Sequence, residues 1–596
     1  MTFPSDPVQT HAVHPQNEGG ALSINRVTLT WLWQMIRPFS WRLLVLTWVP
    51  LAWALGLSLT SYSIQMMVTR ISQYQASLLG PLAFFIMIRV VLIGNYRFYE
   101  QIINIRMMPA LRKRIGLEVT NQIFKKQYPY FQAHQSGALG AKINDLMRNI
   151  PNLLEIITQD FLGNTLAVII AIVMLTTIQP IFGGLMAFWA ICVVGISWVA
   201  SKRLLIISHD FFKKWTVLTG KIIDTLGNIL SVRLFYTMRT EDRVLSEEMN
   251  DLIGQEKFME QKYFQMRSLT SIISVGVFLA NGYFLCQGYA NGTIDAGGLV
   301  LVLGVNRSVM DFLWKFDQVF SNISEYYGSI SQSLQTVFEG KSMDDDKNLP
   351  DLYLKKGGVT FTDVNFSYPG CPSVFKNLSL NILPGEKVGV VGRSGSGKST
   401  FAHLLLRLYD IQGGTISIDG QNIAQTNSSS LYNQVTLVPQ ETSLFERSLK
   451  DNVWYANPSA SIADLELALG RSCCDTFIRD LPNGMDTFIG EHGVRLSGGQ
   501  KQRISMARAM LRHGKILILD ESTSQLDSVT ESQLQENLWQ FFADKTVIVI
   551  AHRLATLRRM DRIIVFDGGQ ISEQGSHDEL LAQQGLYHRM WETQER

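Results

Sequence analysis

The sequence predicts a helical domain of six membrane-spanning segments followed by an α/β domain built around a phosphate-binding loop. Long apolar runs are confined to residues 41–320. Residues 356–596 instead alternate apolar strands, polar loops and amphipathic helices, as soluble domains do. A glycine-rich turn at residues 392–399 separates one of these strands from one of these helices. The chain of 596 residues is also too long for one ordinary domain.

The change in composition along the chain predicts four parts. Residues 1–25 are expected to be disordered, and residues 26–338 to form the transmembrane domain with an interfacial helix. A linker is expected at 339–355 and a nucleotide-binding domain at 356–596. The first forty residues lack the charged-then-apolar order of a signal peptide, and they contain no arginine before Arg26. We therefore expect a bacterial inner membrane and not a mitochondrial one.

Six runs of residues are long and apolar enough to cross a bilayer, which takes about 20 residues. Lysine and arginine accumulate in the two long loops, residues 100–160 and 201–266, and are almost absent from the three short loops. Positively charged loops stay in the cytoplasm, so the long loops and both termini are predicted to be cytoplasmic. Residues 26–43 suit either a helix lying in the membrane interface or a plain lead-in to the first span. The predicted spans centre on residues 43–65, 78–98, 161–178, 181–200, 268–289 and 298–314.

The two long loops contain few helix breakers, so their helices are predicted to continue well past the membrane surface. Turn residues interrupt the helical pattern near residues 128–140 and 219–235, which we take as the cytoplasmic tips. Tips held so far from the membrane need something to pack against in the cytoplasm. Bundling of the helices with one another remains an alternative.

Charged residues inside a span indicate either a transport pathway or a paired structural contact. Arg89 and Arg97 lie in the second predicted span and hint at an anionic group on the transported molecule. Arg307, Asp311 and Lys315 form a ladder at four-residue spacing on the sixth span, which can also neutralise itself.

The clearest chemical signal lies in residues 387–409, where an apolar strand enters the pattern G-x-x-x-x-G-K-S and leaves as an amphipathic helix. In such a loop backbone N–H groups surround phosphates, a lysine neutralises the β and γ groups, and a serine hydroxyl ligates Mg²⁺. Here the lysine is Lys398 and the serine is Ser399. The predicted nucleotide-binding residues of the loop are Gly392, Arg393, Ser394, Gly395, Ser396, Gly397, Lys398, Ser399 and Thr400.

Two further apolar strands end in polar residues that suit the same chemistry. One ends in Asp520 and Glu521, which beside a phosphate loop are expected to hold Mg²⁺ and to polarise the attacking water. The other is followed by His552. The carboxyl ends of parallel strands meet in one crevice, so this histidine is expected to contact the γ-phosphate.

Residues 496–503, LSGGQKQR, predict a second anion site. Ser497 and Gln500 have the spacing of a capping box, and the helix that follows carries Ile504, Ala507 and Leu511 on one face. Two glycines in a helical turn are costly, which indicates that a ligand approaches the backbone closely. A helix start with exposed N–H groups binds anions.

Other kinds of site have little support in the sequence. The formal net charge of +2 gives no indication of a nucleic-acid partner. The five cysteines have no CxxC spacing, so we expect reduced packing residues and neither a disulfide framework nor a zinc site.

The phosphate loop, LSGGQ, the Asp-Glu strand end and the strand-terminal histidine occur in the order typical of the ABC transporter ATPases. Residues 356–596 resemble that ATPase domain over nearly their whole length. With six preceding spans, the chain resembles a B-type ABC exporter half-transporter, similar to the lipid A flippase and bacterial multidrug exporters. The resemblance implies that Tyr368 stacks on adenine and that Gln440 touches Mg²⁺ and relays the nucleotide state. It also implies that residues 489–493 meet the helix tips and that Asp527 lies at a dimer interface.

The same resemblance implies that ATP is bound between two chains. Ser497, Gly498, Gly499 and Gln500 of one subunit would face the γ-phosphate held by the loop of the other. We therefore expect an ATP- and Mg²⁺-dependent ATPase that drives export or flipping of an amphipathic, lipid or peptide substrate as a homodimer. An importer on the exporter fold, or an ATP-switched sensor that moves nothing, remains an alternative.

Overall fold

The computed structural model describes residues 26–73, 77–134, 136–342, 349–489, 496–520, 528–551 and 553–595. Three predicted residues, Glu521, Asp527 and His552, lie outside these ranges, as do residues 490–493 of the predicted tip-binding loop. The described chain forms two compact units. The first contains the residues up to Phe124 together with Ser136–Glu339. The second contains the short segment between these two parts and the residues from Gly340 onward.

The described residues of the first unit form helices joined by short turns. A 3₁₀ turn, Arg37–Phe39, separates its first short helix from the long helix that follows. The helices up to residue 338 are α1 (Arg26–Ile36), α2 (Ser40–Ser72), α3 (Leu79–Tyr99), α4 (Met108–Phe124), α5 (Tyr128–Ala133, in the second unit), α6 (Ser136–Glu155), α7 (Gly163–Ile178), α8 (Pro180–Gly227), α9 (Ile229–Leu234), α10 (Met238–Ala290) and α11 (Ala296–Phe338).

Five helical stretches are long and apolar enough to cross a membrane, and they contain the first five predicted spans. The sixth predicted span begins in α11, where the apolar stretch among the described residues, Ala296–Met310, is shorter. As predicted, the helices continue past a membrane thickness, since α8 has 48 residues and α10 has 53. The five stretches are Thr30–Ser72, Leu79–Phe124, Ser136–Ile178, Pro180–Ala200 and Met238–Ala290.

Irregular helical segments that the sequence did not predict occur in the first unit. The chain is π-helical at Glu100–Met107, between α3 and α4, and at Ile156–Leu162, between α6 and α7. The side-chain amide of Gln159 donates a hydrogen bond to the hydroxyl of Tyr99, so the second π segment is tied to the start of the first. Such π turns interrupt the regular hydrogen bonding of a helix and are often found at functional sites.

The described charged residues of the predicted spans differ from one another in exposure and in contacts. Arg89 is exposed, with its guanidinium 5.4 Å from the centre of the Phe85 ring. Arg97 forms an ion pair with Glu100 at 3.0 Å, a partner that the sequence reading did not assign to it. Arg307 is exposed on α11. The side chains of Asp311 and Lys315 lie outside the described part, so the proposed ladder is not described.

The second unit contains two sheets. One has four antiparallel strands in the order β2-β1-β4-β5, and the other has six strands in the order β10-β9-β3-β8-β7-β6. In the six-stranded sheet all neighbours are parallel except the edge pair β9 and β10. The strands are β1 (Val359–Ser367), β2 (Ser373–Ile382), β3 (Lys387–Gly392), β4 (Gly413–Ile418), β5 (Gln421–Asn422), β6 (Val435–Val438), β7 (Ile516–Asp520), β8 (Thr546–Ile550), β9 (Arg562–Asp567) and β10 (Gln570–Gly575).

Helices connect and cover these strands. They are α12 (Lys398–Leu405), α13 (Ser428–Gln434), α14 (Leu449–Trp454), α15 (Ile462–Arg471), α16 (Asp475–Ile478), α17 (Gly498–Met510), α18 (Ser528–Phe542), α19 (His577–Ala582) and α20 (Leu586–Glu595). One core lies between the two sheets and α12, where the rings of Phe361 and Phe401 stack at 4.7 Å. A second core joins α14, α15 and α17 to the far face of the parallel sheet.

Candidate functional site

The loop that follows β3 has a backbone that only glycine adopts easily. Gly392, Gly395 and Gly397 have φ angles of 151°, 79° and 105°, in the region that side chains disfavour. A Cβ on Gly392 would lie 2.2 Å from the carbonyl oxygen of Phe566, and one on Gly397 would lie 2.7 Å from the Phe375 ring. The three glycines therefore allow the loop to turn tightly against the neighbouring strands.

The start of α12 offers the groups that a phosphate needs. Gly397 is its N-cap and supplies no side-chain hydrogen bond, so the first N–H groups of the helix remain for a ligand or solvent. The buried Lys398 ammonium donates hydrogen bonds to the carbonyl oxygens of Gly392 and Arg393, both at 2.9 Å, and thus lies within the loop. The Ser396 hydroxyl is buried and has no hydrogen-bond partner among the described residues. These residues fit a bound phosphate chain.

The predicted magnesium ligands follow neighbouring strands at one edge of the sheet. Asp520 ends β7, is buried, and pairs in register with Ile550, the last residue of β8. Gln440 lies two residues beyond the end of β6 and is exposed. Gly392 ends the parallel strand β3 at the same edge. A carboxylate, an amide and the Ser399 hydroxyl supply the oxygen ligands that Mg²⁺ prefers, so the residues present fit this ion.

Tyr368, predicted to stack on adenine, follows β1 directly and is half-buried. Its hydroxyl is 3.1 Å from the Thr400 hydroxyl on α12, so the structure brings this residue to the phosphate loop. Its ring packs at a right angle against the rings of Phe366 and Tyr409, with centroids 4.9 Å and 5.1 Å away.

Two residues of this aromatic cluster were missed by sequence reasoning, namely His403 and Tyr409. Both lie within a stretch whose apolar pattern predicted only an amphipathic helix. Burial lowers the pKa of His403 below its ordinary value, because the charged imidazole is disfavoured away from water. Burial raises the pKa of Tyr409, and the hydroxyls of Tyr368 and Tyr128 raise it further.

The LSGGQ helix begins as the sequence predicted. The Ser497 hydroxyl accepts a hydrogen bond from the Gln500 backbone N–H at 3.3 Å, and the Gln500 side-chain oxygen accepts one from the Ser497 N–H at 2.9 Å. These two bonds form the capping box. Ile504, Ala507 and Leu511 are all buried, as the helical spacing indicated.

The LSGGQ residues and the phosphate loop are not joined within the chain. Ser497 and Gly498 are exposed, while Gly499 and Gln500 are half-buried. Among the described residues, no hydrogen bond connects residues 497–500 with residues 392–400. The structure thus places Tyr368 at the loop, and Asp520 and Gln440 at the ends of strands of the same sheet, while the described contacts of the LSGGQ helix start do not include the loop.

Arg508, on the LSGGQ helix α17, was also missed, because it looked like an ordinary surface charge. Its guanidinium donates to the backbone oxygen of Asn452 at 2.7 Å, to the side-chain oxygen of Asn452 at 2.9 Å and to the carbonyl of Ser443 at 3.0 Å. The amide of the fully buried Asn452 in turn bonds the N–H and C=O of Phe445. Arg508 therefore fixes the segment that follows Gln440 onto α17.

Comparison with known proteins agrees with this geometry. Residues 375–524 match the family model described as ABC transporter. An uncharacterized ABC transporter ATP-binding protein of Haemophilus influenzae is 39% identical over 394 residues, covering 64% of this chain and 62% of that protein. The fatty acid ABC transporter ATP-binding/permease protein of Mycobacterium bovis is 30% identical over 491 residues, covering 80% of this chain and 75% of the relative.

A solved structure extends the likeness to the membrane half. The structure of a bacterial Atm1-family ABC exporter with ATP bound has a TM-score of 0.84 at 25% identity, covering 94% of this chain and 99% of that one. Three curated relatives are matched over only 55–62% of their own length. The Mycobacterium protein is matched over three quarters of its length, and the fold agrees along both units. The chain is therefore a member of the ABC transporter family with the fold of the Atm1-family exporters.

Proposed function

We propose that the chain is an ATP-driven transmembrane exporter or flippase that works as a dimer of identical chains. The observation that carries the proposal is the loop at residues 392–400. Its strained glycines, its helix start without a side-chain cap and its buried Lys398 suit a triphosphate. This loop shares one chain with five helical stretches of membrane-spanning length. Membership of the ABC transporter family supports the same conclusion.

In the proposed reaction the chain first holds the phosphates and the metal. The backbone N–H groups at the start of α12 and the Lys398 ammonium bind the β and γ groups. The oxygens of Ser399, Gln440 and Asp520 would hold Mg²⁺, which supplies positive charge to the phosphate oxygens as the bond breaks. Tyr368 stacks on the adenine ring, and its contact with Thr400 aligns the base with the phosphates.

Hydrolysis then needs a group that activates water. Glu521 directly follows Asp520 and is proposed to accept the proton of the water that attacks the γ-phosphorus, with ADP as the leaving group. His552 is proposed to contact the γ-phosphate and to hold it in line with the water. A positioned general base contributes about 10²–10⁴-fold in rate.

The variant Glu521→Gln tests this assignment. It should lower steady-state ATPase activity about 10²-fold or more, while the Kd for ATP stays within a factor of two. Glu466→Gln, which changes an exposed glutamate on α15 outside the proposed site, is the matched control and should hydrolyse ATP at the wild-type rate. Near-normal turnover in Glu521→Gln would refute the role of Glu521.

The dimer is proposed because, in the part of the chain that the structure describes, no hydrogen bond joins residues 497–500 to residues 392–400. Ser497 to Gln500 form a capped helix start, and Ser497 and Gly498 at its tip are exposed. A phosphate held in the loop of one chain would bind to this helix start in the other. One chain would then hold half of each ATP site, and two chains would complete both.

Mixed dimers test this arrangement directly. Two tagged chains are co-expressed, and dimers carrying both tags are purified. When Lys398→Ala and Ser497→Arg are on different chains, one composite site remains intact and about half of the activity is expected. When both changes are on one chain, neither composite site is complete and activity should be lost. The reverse result would show that each chain hydrolyses ATP by itself.

The substrate is proposed to be amphipathic or lipidic, carried by alternating access between the two sides of the membrane. The exposed rings of Trp48 and Trp53 on α2 suit contact with lipid, and the Mycobacterium relative is named as a fatty acid transporter. ATPase stimulation in nanodiscs, measured across lipids, peptides and hydrophobic drugs, identifies the class. Constant activity without flux would favour a sensor, and uptake in oriented vesicles would favour an importer.

The proposed location is a bacterial inner membrane, with both termini and the ATPase unit in the cytoplasm. The charge of the loops supports this orientation. Trypsin added to intact spheroplasts should leave the lysine- and arginine-rich residues 201–266 uncut, whereas detergent should expose them. Cleavage of this segment in intact cells would reverse the orientation.

A further inference from the structure

The segment between α4 and α6 is anchored on the second unit. The N–H of Gln127 donates to the carbonyl oxygen of Lys341 at 3.4 Å, and the ammonium of Lys126 donates to that of Gly340 at 3.2 Å. Lys126 also forms a β-bridge with Ser342. We call residues 125–134 the tip segment, since they overlap the first predicted cytoplasmic tip, residues 128–140. Its backbone position is therefore set by residues 340–342, which follow the end of α11.

The side chain of Tyr128 joins the tip segment to the phosphate-loop region. Its ring lies at 85° to that of Tyr409, with 5.9 Å between centroids, and 6.3 Å from the imidazole of His403 on α12. The rings of His403 and Tyr409 are themselves 6.2 Å apart. Perpendicular aromatic pairs of this kind contribute about 0.5–1.5 kcal/mol beyond the area they bury.

Tyr409 continues this contact to the proposed adenine residue. Its ring lies at 89° to that of Tyr368, with centroids 5.1 Å apart. Tyr368 remains half-buried, so its neighbours do not cover it completely. Three tyrosines, Tyr128, Tyr409 and Tyr368, thus form a continuous series from the tip segment to the base site.

We propose that Tyr409 couples the stacking of an adenine base on Tyr368 to the packing of Tyr128, and that this contact holds the tip segment in place. The inference rests on the proposed function, because it takes Tyr368 as the adenine contact. A base stacked on Tyr368 restricts its ring, which restricts Tyr409 and so stabilises the seated Tyr128. Coupling between two sites is reciprocal, so the seated tip segment also strengthens ATP binding. Tyr128 and Tyr409 are positioning residues, since they act on the nucleotide through Tyr368.

We expect this link to respond to the base more strongly than to the phosphates. The phosphates are proposed to bind at the loop and at Lys398, which itself bonds the loop carbonyls, whereas the tyrosine series reaches the nucleotide through the ring of Tyr368. A ligand with phosphates but no base should therefore bind without help from Tyr128. Inorganic tripolyphosphate is such a ligand, and it separates the proposed link from general damage to the site.

The test uses the full chain in nanodiscs with three measurements. These are the KM for ATP, kcat, and the inhibition constant of inorganic tripolyphosphate against ATP. Tyr128→Ala should raise the KM for ATP about 2- to 12-fold, which corresponds to one perpendicular aromatic contact. It should leave the inhibition constant of tripolyphosphate within a factor of two. Tyr128→Phe keeps the ring and should restore the wild-type KM.

A double-mutant cycle shows whether the effect passes through Tyr409. In a Tyr409→Leu background, Tyr128→Ala should raise the KM no further, because the connecting ring is already gone. Tyr353→Ala removes an exposed tyrosine of the same unit and is the matched control, with no change expected.

Three outcomes would overturn the link. They are an unchanged KM in Tyr128→Ala, an equal loss of tripolyphosphate binding, or additive effects in the double variant. Failure of the proposed function looks different, since the wild-type chain itself would then neither bind nor hydrolyse ATP.

Discussion

The Arg508 guanidinium binds Asn452 twice, with one hydrogen bond to its backbone oxygen and one to its side-chain oxygen. A third bond reaches the carbonyl of Ser443, three residues after Gln440. Burial lowers the pKa of Arg508, yet the group remains charged because an ordinary arginine pKa is far above neutrality. The pair joins the LSGGQ helix to the segment that carries a proposed magnesium ligand.

Removing this guanidinium should destabilise the second unit. Arg508→Ala removes three hydrogen bonds, although the Asn452 side-chain oxygen keeps the Phe445 N–H as a donor. The free energy of unfolding should therefore fall by about 2–4 kcal/mol, measured as a shift of the urea unfolding midpoint. Arg512→Ala is the control on the neighbouring turn, where a single exposed contact of 3.4 Å to Asn433 is lost. Its effect should stay within about 0.5 kcal/mol. Equal stability of both variants would contradict the role assigned to Arg508.

Two glycines of the phosphate loop should respond differently to alanine. Gly392→Ala forces a Cβ against the carbonyl of Phe566, so both ATP binding and folding should be impaired. A Cβ on Gly395 meets no atom within 4 Å, although its φ of 79° is strained for alanine. Gly395→Ala should therefore lower the free energy of unfolding by only about 1–2 kcal/mol. Thermal unfolding and ATP titration of the two variants check this order, and a milder effect at Gly392 would show it to be wrong.

The carboxylate of Asp419 accepts hydrogen bonds from four consecutive N–H groups, those of residues 355–358. Burial raises the pKa of Asp419, but these bonds outweigh it and the pKa is lowered overall. Asp419→Asn removes the charge while keeping a residue that tolerates its positive φ. The free energy of unfolding of the variant should be about 1–3 kcal/mol lower than that of the wild type at pH 7.

The pH dependence of the Asp419 effect has a definite sign. The folded pKa lies below the unfolded value of about 3.9, so the unfolded chain takes up the proton first as pH falls. The stabilisation is therefore complete above that value and is lost only as pH falls through the folded pKa. The difference in the free energy of unfolding between wild type and Asp419→Asn should stay constant from about pH 8 to pH 5. A difference that narrows within this range would show that the carboxylate contributes little.

At the start of α11, Asp295 caps the helix and contacts α2. One carboxylate oxygen accepts the Gly298 N–H at 2.8 Å, and the other accepts the Thr69 hydroxyl at 2.6 Å. Asp295→Ala removes both bonds and should lower the thermal unfolding temperature in nanodiscs, with a cost of about 1–3 kcal/mol. Thr69→Val removes only the second bond and should cost less. If Thr69→Val is as damaging as Asp295→Ala, the cap contributes nothing.

Local sequence predicted the parts of the protein that depend on neighbouring residues. The glycines of residues 392–397, Lys398, and the box between Ser497 and Gln500 all act within a few positions, so their spacing determines their structure. The partners of Arg508 and Tyr409 are different, because Asn452 and Tyr128 are distant in the sequence and only the fold brings them close. In the sequence, Arg508 looks like an ordinary charge on an amphipathic helix, and Tyr409 looks like an ordinary aromatic residue after the end of a helix.

The π-helical segments show another limit of sequence reasoning. Residues 100–107 and 156–162 have the composition of an ordinary α-helix, and their sequence pattern does not predict the wider π-helical turn. The contact between Tyr99 and Gln159 accompanies these segments, and no helical period connects the two residues. The long helices could be predicted from apolar runs, whereas their local irregularities depend on how neighbouring helices pack.

In the dimer that we propose, the capping box at Ser497 has a consequence for how the two chains could separate after a turnover. A hydroxyl has two acceptor sites and one proton, and the Gln500 N–H occupies only an acceptor site. An arriving phosphate oxygen can accept a hydrogen bond from this hydroxyl while the capping box stays intact, and its departure breaks no backbone hydrogen bond. In the proposed dimer, a phosphate can therefore bind to this helix start and leave it while the helix itself stays unchanged.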